Sequence, residues 1–222
     1  MMENTTYTAR ALQRAGRWDL ALDVLEPVAA ALRAEILTDA FWWRLEGAAE
    51  AEDAVAALRE SEPARAAFLD GQLAYTRTLF GVDTRPDDAE RARAGFTTAA
   101  SDRELAPWAA FWLGVVAELL DKDPVAAAEH YRRALAGADD DPLLESYAIR
   151  HLGGQALESG DASGLDSLRR SYLLRAALGA RPQTAAAAVT LADRLPDGPE
   201  ARDLREISRA TARELGLRWL ME

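Results

Sequence analysis

The residues with the strongest capacity for chemistry in this chain are its two histidines, His130 and His151, and the acidic run Asp139–Asp140–Asp141. A zinc site needs three or four nitrogen, sulfur or oxygen ligands at close spacing. The chain has no cysteine and no HExxH motif, so scattered carboxylates would have to supply the remaining ligands. The histidines therefore read as ordinary surface or boundary residues, and no metal is expected. The acidic run lacks the alternating ligands and central glycine of a calcium loop. Asp141 stands directly before Pro142 and reads as a helix cap. No nucleophile elbow, phosphate loop or dinucleotide fingerprint is present, and the glycines of LESGDASG link two helical stretches without following a strand. No catalytic residue and no cofactor is expected. A pair of glutamates brought together by the fold is the one acid–base arrangement left open, and no particular pair stands out. What remains is recognition chemistry: aromatic rings and arginines, the side chains that anchor interfaces.

These side chains must be positioned by helices. Alanine, leucine, glutamate and arginine dominate, all strong helix formers, and no window alternates strictly with β-branched residues. The fold class expected is all-α. In chain order, Asn4 or Thr5 caps a first helix that ends at Gly16. The next stretch places Leu20, Val24, Leu25, Val28, Ala31 and Leu32 on one buried face, with a kink or a break at Pro27. Thr38 and Asp39 read as the next N-cap, opening one long helix or a pair broken near Gly47–Glu52. Ser61 and Pro63 start a helix that stops at Gly81, and GVDTRPDD follows as a surface loop.

From there the chain repeats. Leu113–Gly114, Leu152–Gly153 and Leu191–Ala192 recur 39 residues apart, each on an apolar helix followed by a polar turn and an amphipathic helix. A fixed period with one such unit per period marks a stacked array. Leu113–Gly114, Ala127-x-x-x-Tyr131, Ala134 and Pro142 fall in the order of the tetratricopeptide pattern, as do Leu152–Gly153, Ala156 and Gly160 in its first half. The chain thus resembles the tetratricopeptide-repeat family, with departures: Trp112 directly precedes the Leu, and the period exceeds the family's roughly 34 residues. The resemblance implies antiparallel helix–turn–helix repeats stacked into a curved array. One domain over residues 1–222, of ten or eleven helices, is expected, with its clearest units at 61–100, 104–136, 142–179 and 181–216.

In such an array the first helix of each unit lines the concave side. If Leu–Gly takes its family position, Trp108, Phe111, Val115 and Glu118 face the concavity in one unit, and Tyr147, Arg150, Gly154 and Leu157 in the next. Phe68 and Tyr75 point the same way in the unit before. The expected partner-binding set is therefore Phe68, Tyr75, Trp108, Phe111, Tyr147 and Arg150. The alternative is that these rings fill the seams between helices. The family's carboxylate-clamping Lys/Asn/Arg set is not reproduced. The leucines at 113, 152 and 191 are expected to be buried.

The functional expectation is a non-catalytic protein- or peptide-interaction module, an adaptor or regulatory scaffold; the alternative is a small-molecule binder or atypical enzyme with a pocket inside the array. A net charge of −11 argues against nucleic acid, whose phosphates need clustered cations, and favours a basic or mixed-charge protein segment. Glu90/Arg93, Glu129/Arg133 and Asp166/Arg170 read as compensated solvent faces. A homodimer is possible on these grounds, a membrane partner is not expected, and the absence of cysteine and of a secretory leader suits the cytoplasm. Far-UV circular dichroism should be dominated by helix; helix content near a third, the ordinary globular level, would contradict the all-α reading.

Overall fold

A computed structural model describes residues 2–26 and 29–221. Helix covers 74% of the chain, and no strand occurs among the described residues, as the composition demands. The helices, each packed on its chain neighbour within a unit, are α1 (Met2–Arg14), α2 (Trp18–Asp23), α3 (Ala30–Arg44), α4 (Ala48–Ala56), α5 (Pro63–Phe80), α6 (Asp88–Ala99), α7 (Ala106–Leu119), α8 (Pro124–Ala136), α9 (Pro142–Glu158), α10 (Gly164–Ala177), α11 (Arg181–Ala192) and α12 (Pro199–Leu215), followed by a single 3-10 turn, Arg218–Leu220. The contacts divide the chain into two compact units, one running to Leu105 and including Gly216–Leu220, the other Ala106–Leu215.

The first unit departs from the sequence expectation around α1 to α3. The first helix begins at Met2, before the expected caps. Pro27 and Val28 lie outside the described residues; α2 ends at Asp23 and α3 starts at Ala30 on either side of them. Leu20, expected in the core, is 53% exposed, and Trp18 and Ala21 hold the buried face instead. Thr38 and Asp39 do not cap a helix. They sit inside α3, which ends where Leu45 and Gly47 take left-handed backbone with φ of 58° and 84°. That break resolves residues 38–60 into two helices.

Asp39 has a different task. Trp18 Nε1 of α2 donates to its Oδ2 at 2.8 Å, Trp43 Nε1 of α3 to its Oδ1 at 3.1 Å, and the Gln13 amide of α1 reaches it at 3.5 Å. One buried carboxylate thus ties three helices through neutral donors. Further along, Arg77 of α5 is 0% exposed and donates from Nε and Nη2 to Asp88 of α6, at 3.0 and 2.5 Å, and from Nη1 to Glu52 of α4 at 2.6 Å. A buried guanidinium needs such pairing to offset its lost hydration. Aromatic packing completes the unit: Trp219 stacks on Trp43 at 5.3 Å and meets Phe80 at 5.8 Å, while Trp42 stacks on Tyr75 at 6.0 Å.

In the second unit α7/α8, α9/α10 and α11/α12 form successive helix pairs, each also touching the next. Asp123 and Asp141 cap α8 and α9, each accepting from two backbone N–H groups ahead of a proline in the first turn. Leu113 and Leu152 are only partly buried, contrary to expectation, and Leu191 alone of the three is buried. The small residue beside each leucine is what the packing uses. A Cβ on Gly114 would stand 2.6 Å from the Tyr131 ring, one on Gly153 2.7 Å from Ser167, and Ala192 is fully buried against α12. Along α12, Leu204 and Leu215 are buried, whereas Ile207 is 43% exposed.

Burial raises the pKa of Asp39 to about 6, more than the bonds from Trp18, Trp43 and Gln13 lower it. The folded value lies above the ordinary one, so this group's stabilisation is full at low pH and is lost as pH rises through 6. Relative to an Asp39→Asn variant, the wild-type protein should lose about 3 kcal/mol of unfolding free energy between pH 4 and 7, measured by denaturant titration. Parallel curves would show that the carboxylate is solvated.

Candidate interaction site

The most densely organised group of functional side chains lies on α7 and α9 of the second unit, with α8 and α10 behind. Its frame starts at Asp141. Oδ1 caps α9 through Leu143 N at 3.1 Å and Leu144 N at 3.0 Å, while Oδ2 accepts from Trp108 Nε1 of α7 at 2.7 Å. The start of one helix is thereby pinned to the ring of the other. From Trp108 a continuous set of rings follows. Trp108 meets Tyr147 edge-on at 5.6 Å, Tyr147 lies 5.2 Å from Phe111, and Phe111 lies 5.5 Å from His151, which stacks on Tyr131 at 4.6 Å. Edge-on and offset pairs of this kind add to plain burial.

A polar chain runs along the rings. Tyr131 Oη donates to Glu118 Oε2 at 2.7 Å, and His151 Nδ1 lies 2.7 Å from the same oxygen. His151 Nε2 faces Arg150 Nη1 at 2.9 Å. Arginine can only donate, so Nε2 accepts and the imidazole proton sits on Nδ1, directed at Glu118. Gln155 Nε2 completes the set, 3.3 Å from Glu118 Oε1 and 3.3 Å from the Pro124 carbonyl. Burial and then the neighbouring Arg150 charge push His151 down to about 4 despite Glu118. Burial would raise Glu118, but the bond and charge of His151, with Tyr131 and Gln155, outweigh it and hold the carboxyl at about 2. Neither group titrates near neutrality, so the pair is a fixed polar strut rather than a poised acid and base.

The six residues expected to bind a partner fall into different environments. Phe68 and Tyr75, in the first unit, are 8% and 0% exposed, and Phe68 packs edge-on against Phe96. Phe111 is 2% exposed beneath Tyr147 and Val115 is likewise buried. These three rings are core in this structure, not open surface, because neighbouring helices close over them. Trp108, Tyr147 and Arg150 are half-buried on the same face, with Glu118, Gly154 and Leu157, which sequence placed there too. His151 was read as an ordinary surface or boundary residue; its side chain is 11% exposed and it joins the rings to the polar chain. Of the compensated solvent pairs, Glu129/Arg133 stand 3.7 Å apart, whereas Arg170 pairs with Glu145 across helices at 2.5 Å. Arg175, unremarked in the sequence, is buried behind Tyr147; its helical spacing from Leu168 and Ser171, both also buried, was the available signal.

Beside Gln155 an open depression of about 430 Å³ is floored by Pro124, Val125 and Ala128, with Val125 71% exposed. Among the described residues no group of three or more potential ligands could hold a metal ion, and no helix is long and apolar enough to cross a membrane. Comparisons with known protein families, curated proteins and solved structures found no match.

Both depressed values lie below those of the unfolded chain. The stabilisation they carry is complete at neutral pH, starts to fall as pH drops below about 6.5 for His151, and falls further below about 4.5 as Glu118 is protonated in the unfolded chain. Nitrogen-detected NMR of the imidazole should show a neutral Nδ1–H ring still present at pH 5. A His151 midpoint near 6.5 would mean that the ring is solvated and unbonded.

Proposed function

We propose that this protein is a non-catalytic interaction module of tetratricopeptide-like helical repeats, and that the face of α7 and α9 bearing Trp108, Tyr147 and Arg150 docks a protein segment of mixed charge. The observation that carries the reading is the combination on that face: Trp108 held by Asp141, Arg150 held by the Glu118–His151 strut, and the half-buried Tyr147 ring beside them. Rigid aromatic and arginine anchors lose little conformational entropy on binding and contribute most where water is then excluded. Gly154 supports it further. It lies mid-helix with open space where a Cβ would stand, so the face has a notch beside Arg150. The acidic balance of the chain favours partners with basic positions and makes their association salt-dependent. A depression with apolar surface at Val125 lies between α8 and the end of α9. A cytoplasmic setting fits the composition and belongs to this proposal.

A displayed peptide library selected against the immobilised protein would identify binders, whose affinities can then be compared across variants. Arg150→Ala should weaken them at least tenfold, about 1.4 kcal/mol. Gly154→Gln should raise fold stability by up to about 1 kcal/mol through helix propensity and still obstruct binding. Binders indifferent to both substitutions would place the interaction elsewhere.

A further inference from the structure

Two arginines of this protein are fully enclosed, and only one is compensated. Arg77, 0% exposed, has Asp88 and Glu52. Arg175 of α10 is 2% exposed, and among the described residues it pairs with no carboxylate. Its Nε donates to Ser146 Oγ at 3.1 Å and its Nη1 to the Gln183 carbonyl at 3.1 Å, while Nη2 has no partner. Two of five guanidinium donors are therefore spent. The charged and titratable groups bearing on it are Tyr147, Arg150 and His151, and Arg150 carries the same sign. The Tyr147 ring lies over the guanidinium at 4.2 Å, a contact that offsets part of the desolvation but satisfies no N–H. The side-chain oxygen of Gln183 is also buried without a partner. Burial lowers the Arg175 pKa to about 10, which still leaves the group charged.

An enclosed, uncompensated cation is costly, and a protein gains nothing in packing from arginine that methionine would not supply. We infer that Arg175 is the base of an anion subsite that takes a carboxylate group, with Tyr147 as its cover and Arg150 as a second cation at the rim. The cover is half-buried, and entry of a ligand to Nη2 then requires the Tyr147 side chain to shift. A carboxylate suits a single guanidinium better than a phosphate. Its two oxygens match the planar N–H fork, whereas a phosphate would bring more oxygens than one guanidinium and the Ser146 hydroxyl can meet. The carboxylate belongs either to a free organic acid or to an acidic residue of a docked segment; the recognising chemistry is the same. The subsite does not depend on the docking proposed above.

The test is an NMR titration of the full-length protein, following the arginine Nε–H resonances at constant ionic strength. Three probes are used: sodium acetate, a short N-acetylated peptide amide whose one charge is a glutamate carboxylate, and inorganic phosphate. The Arg175 resonance, assigned by its loss in Arg175→Met, is expected to shift saturably with acetate, with the peptide, or with both. Saturation by acetate assigns a free acid as sufficient, and saturation by the peptide alone assigns an acid presented by a segment. Trp108 fluorescence should change in step as Tyr147 moves, and in Arg175→Met that change should be lost while the thermal midpoint holds or rises. If Arg175→Met does not fold, Gln183→Glu replaces it, with an internal carboxylate on the residue that already accepts from Nη1; the acetate or peptide response should then weaken at least tenfold. The proposal is overturned by no saturation with either carboxylate, by tighter binding of phosphate, or by an undiminished response in both variants. None of these outcomes bears on whether Arg150→Ala and Gly154→Gln impair peptide docking.

Discussion

The face of α7 and α9 depends on a missing side chain. Because Gly114 has no Cβ, the Tyr131 ring of α8 lies directly on α7, closer than any other residue would allow. One turn further along α7, Glu118 then meets the Tyr131 hydroxyl. With that ring in place, His151 of α9 has a surface to stack on and a carboxylate to donate to. Displacing the ring by a methyl group's width would break a set of bonds that share one carboxylate. The cost would exceed the loss of any single contact, since a buried polar group left unbonded forfeits its hydration with no return.

Buried charge follows a common rule in both units, with instructive differences. Arg77 is surrounded by carboxylates, so its enclosure closes α4, α5 and α6 on one another. Asp39 receives only neutral indole and amide donors, which do not offset its burial, so its affinity for a proton rises. Glu118 collects bonds from tyrosine, histidine and glutamine and becomes a stronger acid in spite of burial. The sign of each shift is set by what the polar neighbours donate, weighed against desolvation. Arg175 is the case in which the protein leaves that balance open.

The Asp141 bond and the Glu118–His151 strut fix Trp108 and Arg150 in place beside the Tyr147 ring. Preorganisation of this kind reduces the entropy lost on association. On the proposed reading no deep cavity is needed, since Asp141 and Glu118 support Trp108 and His151 from within the helix pairs.

The all-helical class, the Asp141 cap, the stop at Gly81 and the repeat centred on Gly114, Gly153 and Ala192 were legible in the sequence, because propensity, capping and periodicity act over a few residues. Sequence also placed Trp108, Tyr147 and Arg150 on one helix face. It misjudged the leucines at 113 and 152, Thr38 and Asp39, and the burial of Phe68, Tyr75 and Phe111. Thr38 and Asp39 are capping residue types set inside a helix, and the errors of burial share one origin. Helical spacing says which residues share a face, but how deeply a face is covered depends on how near the next helix comes, and bare glycines such as Gly114 set that distance. The pairing of His151 with Glu118, and the enclosure of Arg175 without a counter-ion, join residues tens of positions apart. No local pattern encodes such meetings; only the packed helices decide them.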